Sequence, residues 1–139
     1  METHCERLER VYHAAGTNRL TPASMTISEG ATRLEMPSCE DYLQAVGELH
    51  GMLYFKVLDE TSFYAANSLV DDVFLTTASM HVQFLAALEH GPLFARAEVV
   101  HAGRSSFVVD ATAADHEGNV LARSTGTFVR TRRQLPERR

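Results

Sequence analysis

Residues 51–66 read GMLYFKVLDETSFYAA, a run whose only charges are Lys56, Asp59 and Glu60. A helix that is apolar on nearly every face must be buried along most of its length. Upstream, Cys5, Leu8, Val11 and Tyr12 fall at helical spacing within residues 4–15, and Gly16 with Asn18 is expected to end that short helix. Residues 24–36 read as one extended segment, bent at Gly30 and closed by Pro37, with a loop following to Gly47. Beyond Asp71 and Asp72, residues 73–85, 93–102, 105–115 and 119–130 have strand character. Their breaks carry turn chemistry: His90-Gly91-Pro92, Ala102-Gly103-Arg104 and Asp115-His116-Glu117-Gly118-Asn119. Connections this short predict antiparallel hairpin neighbours.

The order is therefore helix, strand, long buried helix, then a run of antiparallel strands, an α+β arrangement. One central helix is covered on most sides only if a curved sheet wraps around it. The edges of such a sheet need protection, which pairing with a second copy of the chain would supply. At 139 residues, with 45% hydrophobic residues, the chain suits one compact domain. The expected division is an N-terminal helix and lead-in over 1–22, one domain over 23–130, and a basic tail over 131–139 that reads as a solvated end.

Composition also excludes. A net charge of −5 with no clustered basic face outside the tail argues against nucleic-acid binding. No apolar stretch reaches the roughly 18 residues of a membrane span, and the opening METHCERLERV has no signal-peptide core, so a cytoplasmic protein without membrane partners is expected. Cys5 and Cys39 are expected to stay reduced. The sequence lacks GxSxG, GxGxxG, GxxxxGK, HExxH and CxxC, and its seven histidines show neither HxH nor HxxxH spacing, so no metal site is expected.

What remains is a carboxylate where burial is costly. Asp59 lies mid-helix with Phe55 and Phe63 one turn to either side, and a desolvated carboxylate has a raised pKa suited to general-base work. The same spacing also accommodates a solvent-facing Asp59 or an ion pair with Lys56, and Glu60 reads as a solvent-side or supporting carboxylate. His50-Gly51 opens the helix, where unpaired N–H groups and the positive end of the dipole can stabilise an oxyanion, and glycine admits close approach of a carbonyl. The plainer reading makes His50 a polar entry residue and Gly51 a bend. Nine residues of helix give about 13 Å of rise and about 900° of rotation, so His50 and Asp59 project from opposite sides and cannot form one site within one chain. Two antiparallel helices facing each other in a C2 dimer would bring them together.

Taken together, His50-Gly51, Asp59 in LDET, LTTASMHVQFL, the turn HAGRSS and the closing ARSTGTF resemble the hotdog-fold acyl-CoA thioesterases of the phenylacetate-degradation (PaaI-like) type, from about residue 30 to 129. The resemblance implies a hotdog fold, a sheet wrapped around one long helix. It implies hydrolysis of an aryl- or medium-chain acyl-CoA, with CoA as part of the substrate and no cofactor. It further implies a homodimer with shared active sites, and a dimer of dimers as the larger assembly. By the same resemblance the Gly51 amide polarises the thioester carbonyl, His50 supports its loop, and Asp59 acts from the partner subunit as base or nucleophile. Thr77 places the attacking water, and Gln44 stands where an asparagine is common. Arg104 and Ser105 lie where similar proteins contact CoA, with Arg123 and Arg130 as lesser candidates for its nucleotide end. Met52, replacing a usual second glycine, lines the acyl pocket, bounded also by Tyr54, Leu58, Phe63, Tyr64 and Phe84.

Two other functions fit the same fold: a non-catalytic acyl-CoA-binding module, which would not depend on Asp59, and a hydratase or dehydratase, whose motif context this spacing matches less well.

Overall fold

The computed structural model describes residues 1–139. In chain order it contains α1 (His4–Ala14), α2 (Gly16–Leu20), β1 (Ser24–Ser28), β2 (Ala31–Met36), a 3-10 turn (Glu40–Tyr42), α3 (Gly51–Asn67), β3 (Val73–Phe84), β4 (Leu93–Ala102), β5 (Ser106–Ala114) and β6 (Val120–Gln134). The strands form one six-stranded antiparallel sheet in the order β1-β2-β4-β5-β6-β3. The sheet wraps α3, whose Leu53, Val57, Leu58, Ala65 and Ala66 are sealed against Leu34, Leu75, Val109 and Phe128. This is the hotdog architecture expected of a helix that is apolar on most faces, because a flat layer would leave one side of it wet.

Several expectations are corrected. The chain does not simply stop being helical at Gly16 and Asn18, since Gly16–Leu20 forms a second short helix after a break at extended Ala15. Residues 24–36 are not one bent strand but a hairpin, in which Gly30 takes φ +75°, a left-handed value that a Cβ disfavours, and β1 and β2 pair in register from Ser24–Glu35 to Ser28–Ala31. The last strands are not all hairpin neighbours either. β4, β5 and β6 are, but β3 crosses to pair with β6 at the far edge, with partners from Val73–Gln134 to Phe84–Ala122. Local turn signals report only the loop at the end of each strand, not which strand it pairs with.

Residues 131–139 are not a loose basic end. β6 runs through Gln134, Leu135 is buried, and the guanidinium groups of α1 find acceptors in the tail: Arg7 Nη1 donates to the Pro136 carbonyl at 3.3 Å and Arg10 Nη2 to that of Glu137 at 3.0 Å. Both cysteines are free thiols.

Candidate active site

The loop before α3 sets the first half of the site. Leu43 and Leu49 bridge across it, Leu49 N–H donates to the Leu88 carbonyl at 2.7 Å, and His50 N–H donates to the Tyr42 carbonyl at 2.9 Å. His50 then caps the helix with its ring, whose Nδ1 accepts from Met52 N–H at 3.0 Å. Helix N-termini leave their first N–H groups without intrahelical partners. The Met52 group is taken by His50 and that of Leu53 by the His50 carbonyl, while the Gly51 N–H donates to no acceptor in the chain. One unpaired donor therefore stands at the positive end of a 17-residue helix. A Cβ at Gly51 would come within 3.3 Å of the Phe84 ring, so glycine permits close approach here. An imidazole is not among the common N-cap groups, which is why the cap was not legible from the sequence.

Asp59, two and a half turns further on, provides the second half. It is half-buried and accepts a hydrogen bond from Thr77 Oγ1 at 2.8 Å, donated from the middle of β3. Burial pushes its carboxyl above the ordinary aspartate range, and the Thr77 hydrogen bond offsets part of that shift. The alternative partner is occupied: Lys56 pairs with Glu60 one turn on at 2.8 Å, and Glu60 also accepts from Tyr12 Oη at 3.0 Å. Glu60 is thus a structural carboxylate tying α1 to α3 rather than a solvated one, and Asp59, with Thr77 as its one hydrogen-bond donor, takes no part in an ion pair.

The other candidate residues are distributed around these two points. Met52 is 58% exposed beside Gly51, and Phe84, also 58% exposed, leans on Tyr54 with ring centroids 6.2 Å apart. Phe63 sits half-buried between Phe74 and Phe128, with centroids 6.3 Å from each. Tyr54, Leu58 and Tyr64 are core residues. The turn bearing Arg104 and Ser105 lies at the Thr77 end of the sheet, because Ser106, Val129 and Thr76 share a row. Arg130 is held by both oxygens of Asp72, at 2.8 and 2.6 Å. The Gln44 side chain closes its own loop, accepting from Val46 N–H at 3.2 Å and donating to Glu48 at 3.4 Å. No three His, Cys, Asp or Glu side chains converge as a metal set, and no helix is long and apolar enough to cross a membrane.

A sheet wrapped around one helix is the hotdog fold, here with an unpaired amide at the helix start and a half-buried carboxylate in its middle. Residues 46–122, more than half of the chain, match the family described as the thioesterase superfamily. The chain belongs to that superfamily, and its chemistry is thioester hydrolysis. It is 30% identical over 103 residues, 74% of this chain and 69% of the relative, to a Saccharolobus solfataricus protein whose name makes it an esterase by inference. Its fold is similar to that of a thioesterase family protein from Silicibacter pomeroyi, with a TM-score of 0.85, 28% identity, and 92% and 98% of the two chains covered. It is similar also to that of the E. coli PaaI protein from the phenylacetic acid degradation operon, with a TM-score of 0.87, 20% identity and 96% of each chain covered.

Proposed function

We propose that the protein is an acyl-CoA thioesterase, active as a homodimer in which each site is assembled from both chains, and that it hydrolyses aryl- or medium-chain acyl-CoA thioesters to the free acid and CoA. The observation that carries this reading is the half-buried Asp59 carboxylate held at 2.8 Å by Thr77, in the middle of the helix whose first residue, Gly51, presents an unpaired amide.

The Gly51 N–H of one subunit donates to the thioester oxygen as negative charge develops there. His50 keeps that donor aimed by capping the first turn, and Gln44 closes the loop that leads into it. Asp59 of the other subunit, less solvated than a surface carboxylate and therefore more basic, either takes the proton of a water held with Thr77 or attacks the carbonyl carbon itself. On the base route the water oxygen forms the new C–O bond as the C–S bond breaks, and the proton taken by Asp59 passes to the departing thiolate. On the nucleophile route Asp59 forms that bond, and the C–S bond breaks to leave an acyl–aspartyl anhydride. Water then cleaves the anhydride, giving the free acid, restoring the carboxylate and supplying the thiolate's proton. Arg104 and Ser105 serve the CoA end, while Met52 and Phe63 border the acyl group.

Free-thiol release over a panel of acyl-CoAs tests this reading. Asp59→Asn is expected to lose about 10²- to 10⁴-fold in kcat, the usual yield of a positioned base. Thr77→Ala should lose less, since the carboxylate remains. Full activity in Asp59→Asn would refute the assignment.

A further inference from the structure

Asp59 shares its helix with one cation and one further acid, Lys56 and Glu60. At about 100° per residue, Lys56 lies between the two carboxylates, about 60° around the α3 axis from Asp59 and about 40° from Glu60. Both the i,i+3 and the i,i+4 spacing make side chains neighbours, so the ammonium can reach either acid. It sits at 2.8 Å from Glu60 Oε1. The helix itself gives little reason for that choice, since a lysine N-terminal to its acid is the weaker order for such a pair. The choice is made from α1. Tyr12 donates its Oη hydrogen to the second oxygen, Glu60 Oε2, at 3.0 Å. Tyr12 is 2% exposed and packs edge-on against Tyr64, with ring centroids 5.4 Å apart. Burial first, and then the charge of Glu60, push the Tyr12 phenol above its ordinary range, so it remains a donor.

Asp59 is thereby left without a counter-ion. Its one polar partner is Thr77 from β3, and none of the ion pairs in the chain includes it. The ionisable groups around it are Lys56 and Glu60 on α3, with Tyr12 of α1 and Tyr64 beyond Glu60. A cation within about 4–6 Å of a carboxylate lowers its pKa by about 1–3. A lysine turned toward Asp59 would cancel the rise that burial confers and leave a weaker base and a weaker nucleophile. Solvent screens these charges poorly, because the Lys56 and Glu60 side chains are only 18% and 17% exposed. No aligned hydrogen bond accompanies the contact, so charge alone holds the buried ammonium at Glu60.

We propose that Glu60 is a positioning residue for the reaction: anchored by Tyr12, it keeps the Lys56 ammonium on the α1 side of α3 and so keeps Asp59 free of a counter-ion. The proposal rests on the reading of Asp59 as the reacting carboxylate.

NMR titration of the Asp59 carboxyl, beside pH profiles of kcat/KM for acyl-CoA hydrolysis, tests it in the wild type, Glu60→Gln, Tyr12→Phe and the double variant Lys56→Met/Glu60→Gln. Glu60→Gln keeps an acceptor for Tyr12 and removes the charge, so Lys56 should turn to Asp59. Both the titration and the acid limb of the profile should then move to lower pH by about one pH unit or more, and kcat should fall about 3- to 10-fold as the base weakens. Tyr12→Phe, which removes only the anchor, should move both the same way by less. The double variant has no cation left to intrude and should return both to their wild-type positions. A purely structural Glu60 would lower the melting temperature of Glu60→Gln and leave the Asp59 titration where it was, and that result would overturn the proposal. So would a double variant that keeps the shifted titration. An inactive Asp59→Asn beside an unmoved titration in Glu60→Gln refutes the role of Glu60 alone, whereas full activity in Asp59→Asn refutes the reacting carboxylate and the proposal with it.

Discussion

The two edges of the sheet are built differently. At the β1 edge, the outward N–H groups of Ala23, Met25 and Ile27 are taken in turn by Asn18 Oδ1 at 3.0 Å, His13 Nε2 at 3.2 Å and Glu9 Oε1 at 2.7 Å. The N-terminal helices thus lay three acceptors along the strand at its own two-residue spacing and close it against further pairing. At the other edge, no side chain bonds to the main chain of β3 between Thr76 and Phe84. An unpaired edge invites another strand, and this one borders Thr77. The chain thus seals one edge itself and leaves the other open, the edge at which the proposed second copy would bring its Gly51 amide toward Asp59.

Between the two edges, the largest expected effect lies at the open one, where the donor is tested. Gly51→Pro removes the one N–H in question at the first helical position, where proline is well tolerated, and His50 already has the extended backbone that precedes proline, at φ −65° and ψ 136°. The loss expected in kcat is about 10²- to 10³-fold, with the fold retained by circular dichroism, since the Cβ that would come within 3.3 Å of Phe84 meets a ring that is 58% exposed and can move aside. An active proline variant would remove the amide from the mechanism. If β3 is the shared edge, co-refolding Gly51→Pro with Asp59→Asn should recover about a quarter of wild-type activity, since half of the dimers are mixed and each has one intact site. No recovery, with mixed dimers present, would break the comparison at the open edge.

At the closed edge, Glu9→Ala leaves the Ile27 N–H without its acceptor. It should cost about 1–3 kcal/mol in denaturant unfolding and promote self-association visible by light scattering, with activity per folded chain retained. Wild-type stability in that variant would mean that the clasp is ornamental.

The smallest effect is one of pH. Asp59 holds its proton in the folded chain to a higher pH than in the unfolded one. The folded state therefore binds more protons across that window, and this group's contribution falls as pH rises through it. Above that window the cost is fully expressed, so there Asp59→Asn should melt slightly higher than wild type while losing activity. The kcat/KM of the wild type should decline as pH drops through the same raised value, and a profile flat down to the ordinary aspartate range would contradict the role of base.

Much of this was legible along the chain. The 51–66 run announced its own burial, and the nine-residue spacing that puts His50 and Asp59 on different sides of one helix could be read from helix periodicity alone. The choice between Lys56 and Thr77 as the partner of Asp59 was not legible. Lys56 is close in sequence, whereas Thr77 is close only once β3 has crossed to the far edge. The clasp of Glu9 and His13 on β1 was equally hidden, since the spacing that matches it belongs to a strand and not to the helix that supplies it.

Local periodicity and composition thus establish which segments coil, which extend and which side chains leave water, since each depends on neighbours a few residues away. Strand order, the unpaired state of the Gly51 amide, the raised basicity of Asp59 and the hold of Tyr12 on Glu60 arise only on folding. Hydrogen-bond partnership, desolvation and cross-strand register are properties of atoms that the chain separates by tens of residues and brings together in space.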